Sequence, residues 1–81
     1  MSQAVTVENY HPCGAPQGLT WIKSSKSNMQ HLDDSIGIAL DGDSILIGIT
    51  TDPSQVPLTA TRTKLKALIE GAKAGEFDHL V

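Results

Sequence analysis

The sequence predicts a small α+β fold: a three- to four-stranded antiparallel β-sheet with a C-terminal α-helix packed on one face. Three observations carry it. Leu65, Leu68, Ile69 and Ala72 fall at i, i+3, i+4 and i+7, a single apolar stripe at helical period. Upstream, the stretches 35–41 and 43–51 alternate isoleucine or leucine with small residues at period two, the pattern of half-buried strands. Between them stands Asp41-Gly42, a hairpin signal. At 81 residues the chain makes one domain. A chain of this size buries only about 60% of the surface it exposes when unfolded, so self-association would supplement a small core.

Residues 1–18 read as a flexible N-terminal arm preceding a single α+β domain over 19–81. Pro12, Gly14, Pro16 and Gly18 alternate in the arm and break both regular structures. Within it the β-formers at 4–8 suit an edge strand, added to this chain or to another. Residues 19–27 read as a strand with Leu19, Trp21 and Lys23 on one face, and Trp21 is assigned to the core. Ser24, Ser25, Ser27 and Asn28 are turn formers that end it, and 29–34 is a polar loop.

With Asp41 and Gly42 as a two-residue loop, Leu40 faces Asp43, Ile38 faces Ile45 and Ile36 faces Ile47. That pairing gathers Ile36, Ile38, Leu40, Ile45, Ile47 and Ile49 on one face. The helix is assigned to this face, with Leu68 and Ile69 buried under it. The opposite face carries Gly37, Ala39, Leu46, Gly48 and Thr50, residues small enough to admit another sheet closely. A second copy of the chain is the expected cover, making a homodimer with Gly37, Ala39, Leu46 and Gly48 as contacts. The alternative cover is the arm at 5–10, folding back within one chain.

After the hairpin, 51–57 is turn and crossing chain, and 56–60 suits a short edge strand. Thr59 or Thr61 is the expected helix N-cap. Gly75 supplies the stop, because a left-handed residue after a helix favours the side chain without a Cβ. Phe77, Leu80 and Val81 then give the returning chain something to bury.

Charge and composition narrow the function classes. A net charge of −3 with three aromatic residues argues against direct nucleic-acid binding. Cys13 is the single cysteine, which excludes an internal disulfide and fits a reducing compartment. No basic-then-apolar leader opens the chain, and no apolar run approaches the roughly 20 residues of a membrane span. The expectation is a cytoplasmic protein with no membrane partner.

Candidate chemistry is sparse. His11, Cys13, His31 and His79 have no zinc-site spacing, and Asp41, Asp43 and Asp52 lack the calcium-loop series, so no metal or cofactor is expected. Ser24, Ser25 and Ser27 have neither a strand–turn–helix elbow nor a spaced histidine and acid, so no catalytic residue is assigned. Two features point to contacts instead. Gly71 interrupts the helix, at a cost of about 1 kcal/mol relative to alanine, as a glycine does where another backbone comes close, either the sheet of the same chain or a partner. Arg62, Lys64 and Lys66 crowd the helix start against its dipole, a patch suited to an acidic partner surface.

Several segments, in order, resemble a family of small actinobacterial proteins of unknown function that includes BldB. They are Trp21-Ile22-Lys23-Ser24-Ser25-Lys26-Ser27, Ser35-Ile36-Gly37-Ile38-Ala39, Ile45-Leu46-Ile47 leading to Asp52-Pro53, and Gly71-Ala72-Lys73-Ala74-Gly75-Glu76-Phe77-Asp78. The resemblance spans about 19–78. It implies a cytoplasmic, non-enzymatic regulator of development or antibiotic production that self-associates. It also implies action with a helix-turn-helix DNA-binding protein encoded nearby, as in a toxin–antitoxin-like pair. The chain departs from the pattern at Ser35 and Gly37, where the family has Cys and Glu. It departs again at Gly48, Ile49 and Thr51, where the family has Arg, Asp and Lys, and at Lys64-Leu65, where the family has a Glu-Trp pair. Those losses point to a different partner or a specialisation in assembly. Direct nucleic-acid binding and a small enzyme are the alternative functions.

Overall fold

A computed structural model describes residues 3–29 and 34–81. The expected polar loop at 30–33, with His31, lies outside the described residues. Among the described residues five strands run β1 (Val5–Val7), β2 (Trp21–Lys23), β3 (Ile36–Asp41), β4 (Ser44–Ile49) and β5 (Leu58–Thr61). They form one antiparallel meander in the order β1-β2-β3-β4-β5. A short helix α1 (Ser25–Met29) follows β2, and the long helix α2 (Arg62–Lys73) follows β5 directly. The fold is the expected α+β arrangement, with α2 packed on β4 and β5. The fifth strand is β1, so the arm is part of the sheet, with Val5 opposite Lys23 and Val7 opposite Trp21.

The central hairpin corrects the expected register while keeping its faces. Asp41 pairs with Ser44, Leu40 with Ile45, Ile38 with Ile47 and Ile36 with Ile49. The two-residue loop is therefore Gly42-Asp43 rather than Asp41-Gly42. Gly42 has φ +59°, and it is the glycine-first arrangement of a type II′ turn. This register opposes Leu40 to Ile45, where the expected one opposed it to Asp43. Three large aliphatic pairs stack on one face as a result. Moving the loop by one residue shifts both strands together, so the same six side chains still share a face.

Strand β2 is shorter than expected because Ser24 turns the chain. Its Oγ accepts from the Lys26 amide at 3.1 Å, and its carbonyl accepts from Ser27 at 3.2 Å. Helix α2 begins where Thr61 caps it, the Thr61 Oγ1 accepting from the Lys64 amide at 3.1 Å. It ends at Gly75, φ +78°. There Gly75 N–H donates to Ala72 O at 3.1 Å and Glu76 N–H to Gly71 O at 3.0 Å, the paired bonds of a Schellman motif. The returning chain lays Phe77 and Glu76 over Gly71. A Cβ there would lie 2.9 Å from Glu76 Oε1 and 3.0 Å from the Phe77 ring. The glycine thus admits the protein's own C-terminal turn.

Candidate functional site

The two faces of the sheet are finished differently, and the core lies on the face that composition made the less apolar. Tyr10 (4% exposed), Trp21 (3%), Ala39 and Leu46 form the buried cluster, with Val7, Ala15 and Leu19 packed against it. Trp21 stands opposite Ala39, and Ala39 opposite Leu46, so these three share the small-residue face. The arm crosses that face. The Tyr10 ring meets Trp21 edge-on, centroids 4.8 Å apart at 80°. Gly37 opposes Gly48 in the strands beneath, where there is no Cβ to hold the rings off. A Cβ on Gly48 would collide with the Tyr10 hydroxyl, and one on Gly37 would lie 3.1 Å from Thr50 Cγ2. Further along, the Cys13 amide donates to Pro53 O at 2.7 Å, fastening the arm to the β4–β5 connection.

Burial fixes where four of the expected contact residues lie. Gly37, Ala39, Leu46 and Gly48 are buried under the arm. The structure thus supplies the within-chain cover, not a second copy, for this face. Gly71 is buried under Phe77 and Glu76. Arg62, Lys64 and Lys66 are exposed. Lys66 reaches Glu70 at 3.9 Å, a solvated pair one helical turn on.

Among the described residues, the Tyr10 hydroxyl is a buried polar group without a hydrogen-bond partner. Burial raises its pKa above the usual tyrosine value, and the Asp52 carboxylate raises it further. No group of three His, Cys, Asp or Glu side chains among the described residues gathers as a metal site would. Cys13 is free and exposed. No helix among the described residues is long and apolar enough to cross a membrane.

The opposite face is the surface that the residue pattern assigned to the core, and it stays open. Among the described residues only Ile45 is buried there, and Leu65 is the one residue of the helical stripe that is half-buried. Leu68 is 48% exposed and Ile69 44%, so the expectation that both are buried is corrected. A helix of twelve residues is about 18 Å long and 10 Å across, too narrow for five strands. Ile36, Leu40 (49% exposed), Ile49 and Leu58 (66%) remain in solvent, and Ile22 joins them through its pairing with Ile38. The chain exposes 6140 Å² in all. A compact monomer of its mass, 8.6 kDa, exposes about 4,700 Å². Part of the difference, roughly 1,400 Å², lies away from this face, at Val56, Leu80 and Val81.

Two troughs run beside α2 on this face. One is lined by Ile22, Ile38, Leu40, Ile45, Arg62 and Leu65 among others. The second continues along the helix past Lys66, Ile69, Glu70 and Lys73. No family model, curated protein or solved structure matches the chain.

The residue pattern had separated the two faces but missed the exposed surface itself. Its signal was the supply of large side chains outside the hairpin. Tyr10 and Trp21 are bulky and rigid, and only a face of glycine and alanine has room for them.

Proposed function

We propose that this chain is a non-enzymatic regulatory protein that works through protein–protein contacts, with the isoleucine face as its contact surface. The observation that carries this reading is the exposure of Ile22, Ile36, Leu40, Ile49 and Leu58 together on one side of a sheet. An apolar surface of that extent marks an interaction site in a soluble protein. The reading includes a homodimer and a complex with a helix-turn-helix transcription regulator, the partners implied by the resemblance to the BldB-containing family. The free, exposed Cys13 thiol fits work in the cytoplasm.

Sedimentation of the chain alone, and mixed with a candidate helix-turn-helix regulator, tests the reading. Wild type is expected to sediment as a dimer or to join the regulator at micromolar concentration. Leu58→Asp, at a position already two-thirds exposed, is expected to weaken that association. A chain that stays monomeric and forms no complex overturns the proposal.

A further inference from the structure

We propose that the trough beside α2 is a docking site for an amphipathic helix of another protein. That helix would carry an apolar stripe and a row of carboxylates on its flank. The inference deepens the contact reading above and rests on it.

Geometry sets the size of the occupant. Outer strand axes in a five-stranded sheet lie about 19 Å apart, and one helix is about 10 Å across. Since α2 sits on β4 and β5, the β1–β3 half of the same face has room for one more helix. Its floor would be Ile22, Ile38 and Leu40, and its side wall Leu65 and Ile69. This is the helix-in-groove mode of recognition, in which anchors at i, i+3 or i+4 and i+7 fill an apolar trough.

Charge sets the chemistry. Arg62 lines the trough, and Lys66 and Lys73 continue the same edge of α2. Glu70 is the one carboxylate among those lining residues, and it lies beside Lys66. The rim therefore keeps a positive surplus. It favours an incoming helix with Glu or Asp on the side facing α2 and opposes one with Lys or Arg there. The chain's own α2, donated by a second copy, is a poor occupant for the same reason. It would bring Arg62, Lys66 and Lys73 against the same three cations.

The test uses two labelled synthetic helices of about 16 residues, roughly 24 Å long, with identical leucine stripes. One carries Glu along its flank and the other Lys. By fluorescence anisotropy with the full chain, the Glu helix is expected to bind about five- to tenfold tighter at low salt. That is the sum of two or three exposed ion pairs, and the preference should fade toward about 1 M salt. The double variant Arg62→Glu, Lys66→Glu alters two exposed side chains, is expected to keep the wild-type circular dichroism spectrum, and is expected to reverse the preference. Equal affinity for the two helices, an unreversed preference in the double variant, or no binding to a monomeric chain each overturns the proposal. A wild-type dimer that excludes both helices also overturns it and assigns the trough to a second copy. That last result leaves the broader contact reading standing.

Discussion

The two faces of this sheet invert a simple rule about what gets buried. One face carries six large aliphatics from the hairpin strands, yet most of them stay partly or largely in solvent. The other carries Gly37, Ala39, Leu46 and Gly48, and it holds the core. The difference lies in what the chain has available to cover each face. An arm with one aromatic ring can close over glycines, because the absent Cβ atoms let the ring approach the backbone. The isoleucine face needs a whole layer of large side chains, and a single twelve-residue helix supplies half of one. Burial here follows shape complementarity and the supply of covering groups, and apolar content alone does not predict it.

The strongest way to break this comparison is at the centre of the covered face. Trp21→Ala is expected to cost about 3–5 kcal/mol. A domain of this length has about 4–12 kcal/mol of stability in total, so the variant should lose roughly a quarter or more of it. Urea denaturation followed by far-ultraviolet circular dichroism measures it. A variant with wild-type stability would mean that the core lies elsewhere.

Gly48→Val acts on the fit between arm and sheet. Its Cβ meets the Tyr10 hydroxyl, so the arm must shift or lift. The expected cost is about 1–3 kcal/mol from overpacking. Protease cleavage within 11–18 should become faster, since Pro12 and the strand pairing of β1 hold that segment down. Unchanged cleavage would show that the arm does not depend on the glycine.

On the open face, Leu68→Ala should cost less than about 1 kcal/mol, because the side chain is 48% exposed. The same substitution at a buried leucine costs about 2–5 kcal/mol. A loss in that higher range, at concentrations where the chain is associated but not where it is monomeric, would place Leu68 inside an interface.

Much of the architecture was legible in residue order. Period-two and period-3.6 patterns located β3, β4 and α2, and Gly75 marked the end of the helix, while its start was left between Thr59 and Thr61. Register was legible only as far as its faces. Gly42 serves a type II′ turn from the first position as well as a type I′ turn from the second, so local turn chemistry left two loops open. The pairing of Leu40 with Ile45 decides between them, and that pairing belongs to the sheet as a whole. What could not be read was the choice of cover. Tyr10 lies in a stretch broken by prolines and glycines, with no period to announce that it is buried. Its partners Trp21, Gly37 and Gly48 are 11 to 38 residues away along the chain.

The smallest expected effect is at the Tyr10 hydroxyl, and it separates the ring's role from that of its polar tip. The ring packs on Trp21, whereas the hydroxyl is buried without a partner among the described residues. Removing an unsatisfied buried polar group while keeping the shape is neutral to favourable. Tyr10→Phe should therefore leave stability at pH 7 unchanged or raise it by up to about 1 kcal/mol. pH amplifies the contrast. The folded-state pKa of Tyr10 is raised, first by burial and then by the Asp52 carboxylate. In the unfolded chain a tyrosine titrates near 10. Below that value both states hold the proton and Tyr10 adds no pH dependence. Above it the unfolded chain releases the proton first, so wild-type stability falls as pH rises toward the folded pKa. The Phe variant lacks this loss, and the gap between the two proteins should open above about pH 10 and stay flat between pH 6 and 9. Chemical denaturation at stepped pH reads the gap directly. A Phe variant less stable than wild type by more than about 1 kcal/mol at neutral pH would mean that the hydroxyl has a hydrogen-bond partner in solution.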